Sequence, residues 1–306
     1  GREGAPREVG ALAGGWFAAR FGLDPQERRL LLAAGAGAGL AAVYDVPVSG
    51  VVFAAIALGS AGVGDVVVLA VASGVATVLA WPVVGRHSVY AVPHVSLGTP
   101  GLGGLVPWAV VGALPCAAAA IALNVVARRA MGAQPGPSWR LPIATTLAML
   151  SVGVATVWWP GLPGNGKGLV ELAIRPAQVS PEAGRAAATF AVLLVLKIVL
   201  TGLCLRGGIV GGLLTPALAT GAALGAAVGL CLVALTGGGM TVGAETAAVA
   251  AYGLVGAAGV LSVSHRSALF ATVMVWELTH VAWPVVVACA VCAVLARLAA
   301  RAVGRG

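Results

Sequence analysis

From Gly207 to Ala244 the chain carries no charged side chain, and the same holds over Val66–Val84, Gly104–Ala127 and Val281–Ala296. A bilayer asks for about 20 consecutive apolar residues per crossing helix, because its core has no water to solvate a charge or a backbone group. Only 9% of the 306 residues are charged, against about 25% in soluble domains. The stretches therefore predict an all-α polytopic membrane protein. Its 45 glycines and 17 prolines fit membrane helices that pack closely and tolerate breaks.

The net charge of +8 sits mostly in loops and at the end of the chain, with Arg128, Arg129 and Arg140 at one junction and Arg297, Arg301 and Arg305 at the close. Excess Lys and Arg marks cytoplasmic loops. No basic stripe interleaved with aromatics is present, so a nucleic-acid partner is not expected. Cys116, Cys204, Cys231, Cys289 and Cys292 all fall in apolar segments and read as small buried hydrophobes rather than a disulfide framework. His87, His94, His265 and His280 are scattered, so no metal site and no cofactor are expected. No nucleophile stands near a base, which disfavours an intramembrane enzyme. Trp81, Trp158, Trp159 and Trp283 lie near span ends, where interfacial belts form.

Along the chain, Asp24 and Pro25 predict the capped start of a helix, and Asp45-Val46-Pro47 predicts a break before the short apolar run Val48–Leu58. The early segments are too short to cross singly, which predicts tilted and half-spanning helices. The Pro- and Gly-rich stretch 132–140 is read as a linker between a first half, 1–131, and a second, 141–306. The halves resemble one another. Gly1, Ala5 and Gly10 match the spacing of Gly212, Pro216 and Gly221, and Asp45–Gly50 faces Arg266–Ala271. Within apolar helices, Glu277 reads as a buried hydrogen-bonding group, and Lys197 as a residue that snorkels to the interface.

Gly1-Arg2-Glu3-Gly4-Ala5-Pro6 sets a carboxylate among glycines where an uncharged segment begins. A helix starting there points N–H donors and its positive dipole end forward, which makes an anion site that Glu3 can itself occupy. Gly212-Leu213-Leu214-Thr215-Pro216 repeats the arrangement in the second half. Helix starts of this kind, repeated in two halves, predict a channel or carrier for an anion.

Gly1-Arg2-Glu3-Gly4 resembles the GREGP motif of the chloride channel (ClC) family, and Gly212–Pro216 is similar to its GxFxP motif. Ala33–Phe53 and Ser264–Thr279 resemble later segments in matching order. The resemblance implies a ClC-like inverted repeat and a homodimer in a bacterial plasma membrane, with chloride as the transported ion. It makes Glu3 the gating glutamate and Arg2 a cation near the outer entrance. Backbone amides near Gly4, Ala5, Gly212, Leu213 and Leu214 then line the anion site. Departures from the pattern are Ala5 for the motif's proline and Leu214 for its aromatic. The upstream serine motif and the late pathway tyrosine have no match, so the chain is expected to be a fragment lacking N-terminal helices and the extreme C-terminal helix. Proton-coupled members carry an internal glutamate where Ile56 or Ala57 stands here. Neither holds a proton, which favours channel-like behaviour. The alternatives are a proton-coupled chloride (or other halide) antiporter and a truncated non-conducting relative.

Overall fold

The computed structural model describes residues 4–86, 88–93, 102–180, 182–235 and 244–304. Thirteen α-helices run through them: α1 (Gly4–Arg20), α2 (Pro25–Tyr44), α3 (Pro47–Leu58), α4 (Val63–Val84), α5 (Leu105–Val111), α6 (Ala113–Gly132), α7 (Arg140–Trp158), α8 (Lys167–Ile174), α9 (Ala183–Arg206), α10 (Leu214–Leu235), α11 (Ala244–Ser264), α12 (Ala268–Thr279) and α13 (Trp283–Ala302). No strand occurs among the described residues. Among the described residues, seven helices are long and apolar enough to cross a membrane: α4, α6, α7, α9, α10, α11 and α13. The protein is an integral membrane protein.

Two compact units form. The first holds residues 1–91 with 273–280, and the second 92–272 with 281–306.

In the first unit, α2 starts as its sequence dictates. Asp24 accepts from the N–H of Gln26 at 2.7 Å and of Glu27 at 2.9 Å, while Glu27 accepts from the Asp24 N–H at 3.0 Å. This reciprocal cap satisfies donors that no earlier turn can reach. The helix ends at Asp45, whose φ of 55° reverses the chain into α3. Trp81 of α4 fixes that corner by donating its Nε1–H to Asp45 Oδ1 at 2.9 Å. Helices α1 and α2 meet on glycine. A Cβ on Gly10 would run into the carbonyl of Gly35, and one on Gly35 into that of Gly10.

In the second unit the same crossing recurs between α10 and α11. Gly221 and Gly256 oppose each other's carbonyls, and Gly225 lies on the carbonyl of Tyr252. The corner after α11 falls on Arg266, with a φ of 56°. Of these positions, Gly10 and Gly221 and the corners at Asp45 and Arg266 are the ones matched in the sequence. Around this crossing α11 is the most enclosed span, with 94% of its apolar window buried, whereas α7 shows 11%.

Some elements differ from the expectation. The apolar run Gly104–Ala127 is two helices, α5 and α6, that part at Gly112. Pro115, in the first turn of α6, has no N–H to carry the α5 ladder forward. Of Gly207–Ala244, the helix takes Leu214–Leu235. Helix α8 forms directly after the Pro- and Gly-rich run 160–166, because Leu169, Val170, Ala173 and Ile174 give it one buried face.

Candidate functional site

The predicted site divides between the starts of α1 and α10. Gly1, Arg2 and Glu3 lie outside the described residues. Gly4 is the first residue of α1, and Ala5 is exposed on its first turn. The turn carries no acidic residue. It is held down on α2 where the carbonyl of Pro6 meets Gly39. The N–H groups at such a start have no carbonyl one turn back, so they and the dipole favour an anion.

In the second unit, Gly212 and Leu213 lead into α10, which begins at Leu214. Leu213 packs against Ala127, Ala130 and Leu205. Leu214 and Thr215 are 1% and 2% exposed. The start of α10 is thus a buried helix end with no acidic residue in its first turn. The Leu213 carbonyl accepts the first intrahelical bond, from Ala217 at 2.9 Å. Leucine at 214 in place of an aromatic leaves the backbone donors as they were.

Lys197 overturns its expectation. It does not snorkel. The side chain is 4% exposed, and Nζ donates to the carbonyls of Gly164 at 2.9 Å and Leu162 at 3.3 Å. The reason is the 160–166 loop, which folds over the middle of α9 and offers carbonyls there. Gly166, at a φ of 117°, completes the seat. A Cβ on it would lie 3.1 Å from the Thr215 carbonyl and 3.3 Å from Lys197 Cε. The lysine therefore anchors a loop that packs against the first turns of α10.

Glu277 does what its sequence context implies. Its carboxylate accepts from the N–H of Val48 at 2.8 Å, the N–H of Ser49 at 2.7 Å and the Ser49 hydroxyl at 2.6 Å. Helix α3 has no cap of its own, since Val46 precedes it. The carboxylate from α12 supplies that cap. Ile56 and Ala57, near the end of α3, are exposed hydrocarbon side chains.

Among the described residues no three His, Cys, Asp or Glu side chains come together as a metal site would need. Of the cysteines, Cys116, Cys289 and Cys292 are buried, whereas Cys204 is half-buried and Cys231 is exposed. The last two depart from the expected burial because they face outward on apolar spans. His87 and His94 lie outside the described residues.

The sequence model of the family described as voltage gated chloride channel matches residues 1–301. A ClcB-like protein of Ralstonia nicotianae is 29% identical over 94% of this chain and 66% of its own length. The voltage-gated ClC-type chloride channel ClcB of Salmonella typhi is 29% identical over 97% of this chain and 68% of its own length. The chain thus spans about two thirds of these relatives. A slow cyanobacterial Cl−/H+ antiporter has a similar fold, with a TM-score of 0.77 at 20% identity over 99% of this chain and 68% of that one. A CLC-type fluoride/proton antiporter gives 0.70 at 20% identity, over 97% of this chain and 69% of its own.

Proposed function

The chain belongs to the voltage gated chloride channel family, and from that premise we propose that it moves chloride, or a similar small anion, across the bacterial plasma membrane. The observation that carries this is the pair of helix starts. Helix α1 opens at Gly4, directly after Glu3, and α10 opens buried at Leu214, and neither has an acidic residue in its first turn. Such ends attract an anion without a full cation and so bind it loosely enough to release it. Glu3 is the gate in this reading. Ionised, it competes with chloride for the N–H donors; protonated, it yields the place. Arg2 adds positive potential at the entrance, and the working protein is a homodimer.

Transport is channel-like, because Ile56 and Ala57 put hydrocarbon where a coupling carboxylate is expected. The solved structures named antiporters favour the second reading, anion/proton exchange. Chloride efflux from liposomes, with external pH recorded alongside, separates the two. Efflux without proton movement, changed by Glu3→Ala, supports the gated channel. Proton uptake tied to efflux and abolished by Glu3→Ala makes the protein an exchanger. No anion movement in either protein overturns transport altogether.

A further inference from the structure

We propose that Arg266, Arg297 and Arg301 form a binding site for the phosphate of an anionic lipid headgroup at the cytoplasmic face of the second unit. The packing of α11 on α13 brings them together. Ser262 of α11 donates to the carbonyl of Ala293 in α13 at 2.8 Å. Arg297 stands four residues beyond that contact, one helical turn further along α13, and Arg266 stands four residues beyond it in the turn that follows α11. Arg301 follows one more turn down the same face of α13. Arg297 is within electrostatic reach of both others. Arg266 occupies the left-handed corner between α11 and α12, so its direction is set by the fold rather than by a free loop.

Among the described residues, the ion pairs of the unit lie elsewhere. Its acidic residues are Glu171, Glu182 and Glu245. Glu171 pairs with Lys167 at 3.5 Å and Glu182 with Arg185 at 3.3 Å. Glu245 stands at the opposite end of α11, about 30 Å along its axis from Arg266. The dipole of α13 accounts for an arginine in its last turn. It does not account for a third guanidinium brought in from another element, which adds repulsion unless an anion sits between them. Arg266 and Arg301 are exposed and Arg297 is half-buried at the end of an apolar span. The end of a crossing helix is where a long cationic side chain reaches the headgroups. Guanidinium forks match phosphate oxygens in pairs, and the arginine excess at this end marks the leaflet rich in anionic lipid.

The test is equilibrium binding of a fluorescent phosphatidylglycerol to the purified protein in neutral detergent, with phosphatidylcholine as control and inorganic phosphate as competitor. Phosphatidylglycerol should bind in preference to phosphatidylcholine. Each of Arg266→Gln, Arg297→Gln and Arg301→Gln should weaken it about fivefold. Arg140→Gln, which removes the same charge elsewhere, should leave binding unchanged. Competition by millimolar inorganic phosphate assigns the site to phosphate chemistry in general, and its failure assigns it to the intact lipid. Equal loss in Arg140→Gln and the three variants, or binding that survives both exposed-residue variants, Arg266→Gln and Arg301→Gln, overturns the site.

Discussion

At the scale of single residues, buried polar groups decide more than the apolar majority, because each must be satisfied where water is absent. Glu277 is the clearest case. It is 5% exposed and holds three donors of α3, two of them backbone. Removing it leaves those donors buried and orphaned. Glu277→Ala should therefore destabilise the protein by about 3 kcal/mol, given about 1–3 kcal/mol for a buried group left without its partner. Glu277→Gln, which keeps one acceptor oxygen, should fall between. Thermal midpoints in detergent read the order, and a midpoint for Glu277→Ala equal to that of the parent sinks the capping role. That Glu277 would be buried and bonded was legible, since an acid in an apolar helix has few other ways to exist. Its partners were not, because Val48 and Ser49 lie more than two hundred positions away in the chain. Lys197 misled for a related reason. Its burial depends on where the Leu162 and Gly164 carbonyls fold, and no property of α9 alone encodes that. Asp24, by contrast, caps within three residues, so its role could be read directly.

At the scale of elements, the α1–α2 and α10–α11 crossings are built on the same device, and this fixes which glycines tolerate change. At Gly35 and Gly256 a methyl group would meet backbone of the opposing helix, Gly10 and Gly221 respectively. Backbone cannot rotate aside as a side chain can. Gly35→Ala and Gly256→Ala should each force the helices apart at a cost of about 1–3 kcal/mol or more. Gly153, inside α7, has nothing within 4 Å of where a Cβ would go. There Gly153→Ala should stabilise by up to about 1 kcal/mol through helix propensity. Opposite shifts of the thermal midpoint are expected, and shifts of the same sign refute the close-packing account. The repeat was legible because glycine spacing and the Asp45 and Arg266 corners are periodic. The break at Gly112 and helix α8 were not. Apolar composition continues unbroken through the first, and the second is made by one buried face on an otherwise turn-rich segment.

At the scale of the whole molecule, the solvent must be the bilayer, and the outer surface says so more strongly than the core does. The exposed faces of α4 and α7 carry Val71, Val75, Leu79, Leu147, Val154 and Val157, all between 48% and 75% exposed. In water a surface substitution away from special features changes stability by about 0.5 kcal/mol or less. In hydrocarbon a lysine at the centre of a crossing helix costs about 2.5–3.5 kcal/mol of insertion free energy. Val75 sits near the middle of α4 and is 52% exposed, so the two solvents give different answers for one change. Val75→Lys should sharply reduce the fraction of protein that remains in membranes after alkaline carbonate extraction. Val63→Lys, at the first residue of α4 and 85% exposed, should leave that fraction near the parent's, because the ammonium there reaches the headgroups. The contrast between positions twelve residues apart on one helix tests burial in lipid as distinct from mere loss of an apolar contact. Equal retention of both variants would mean that α4 does not face hydrocarbon. The start of α1, in the same unit, would then lose the dry surroundings that give its dipole force on an anion.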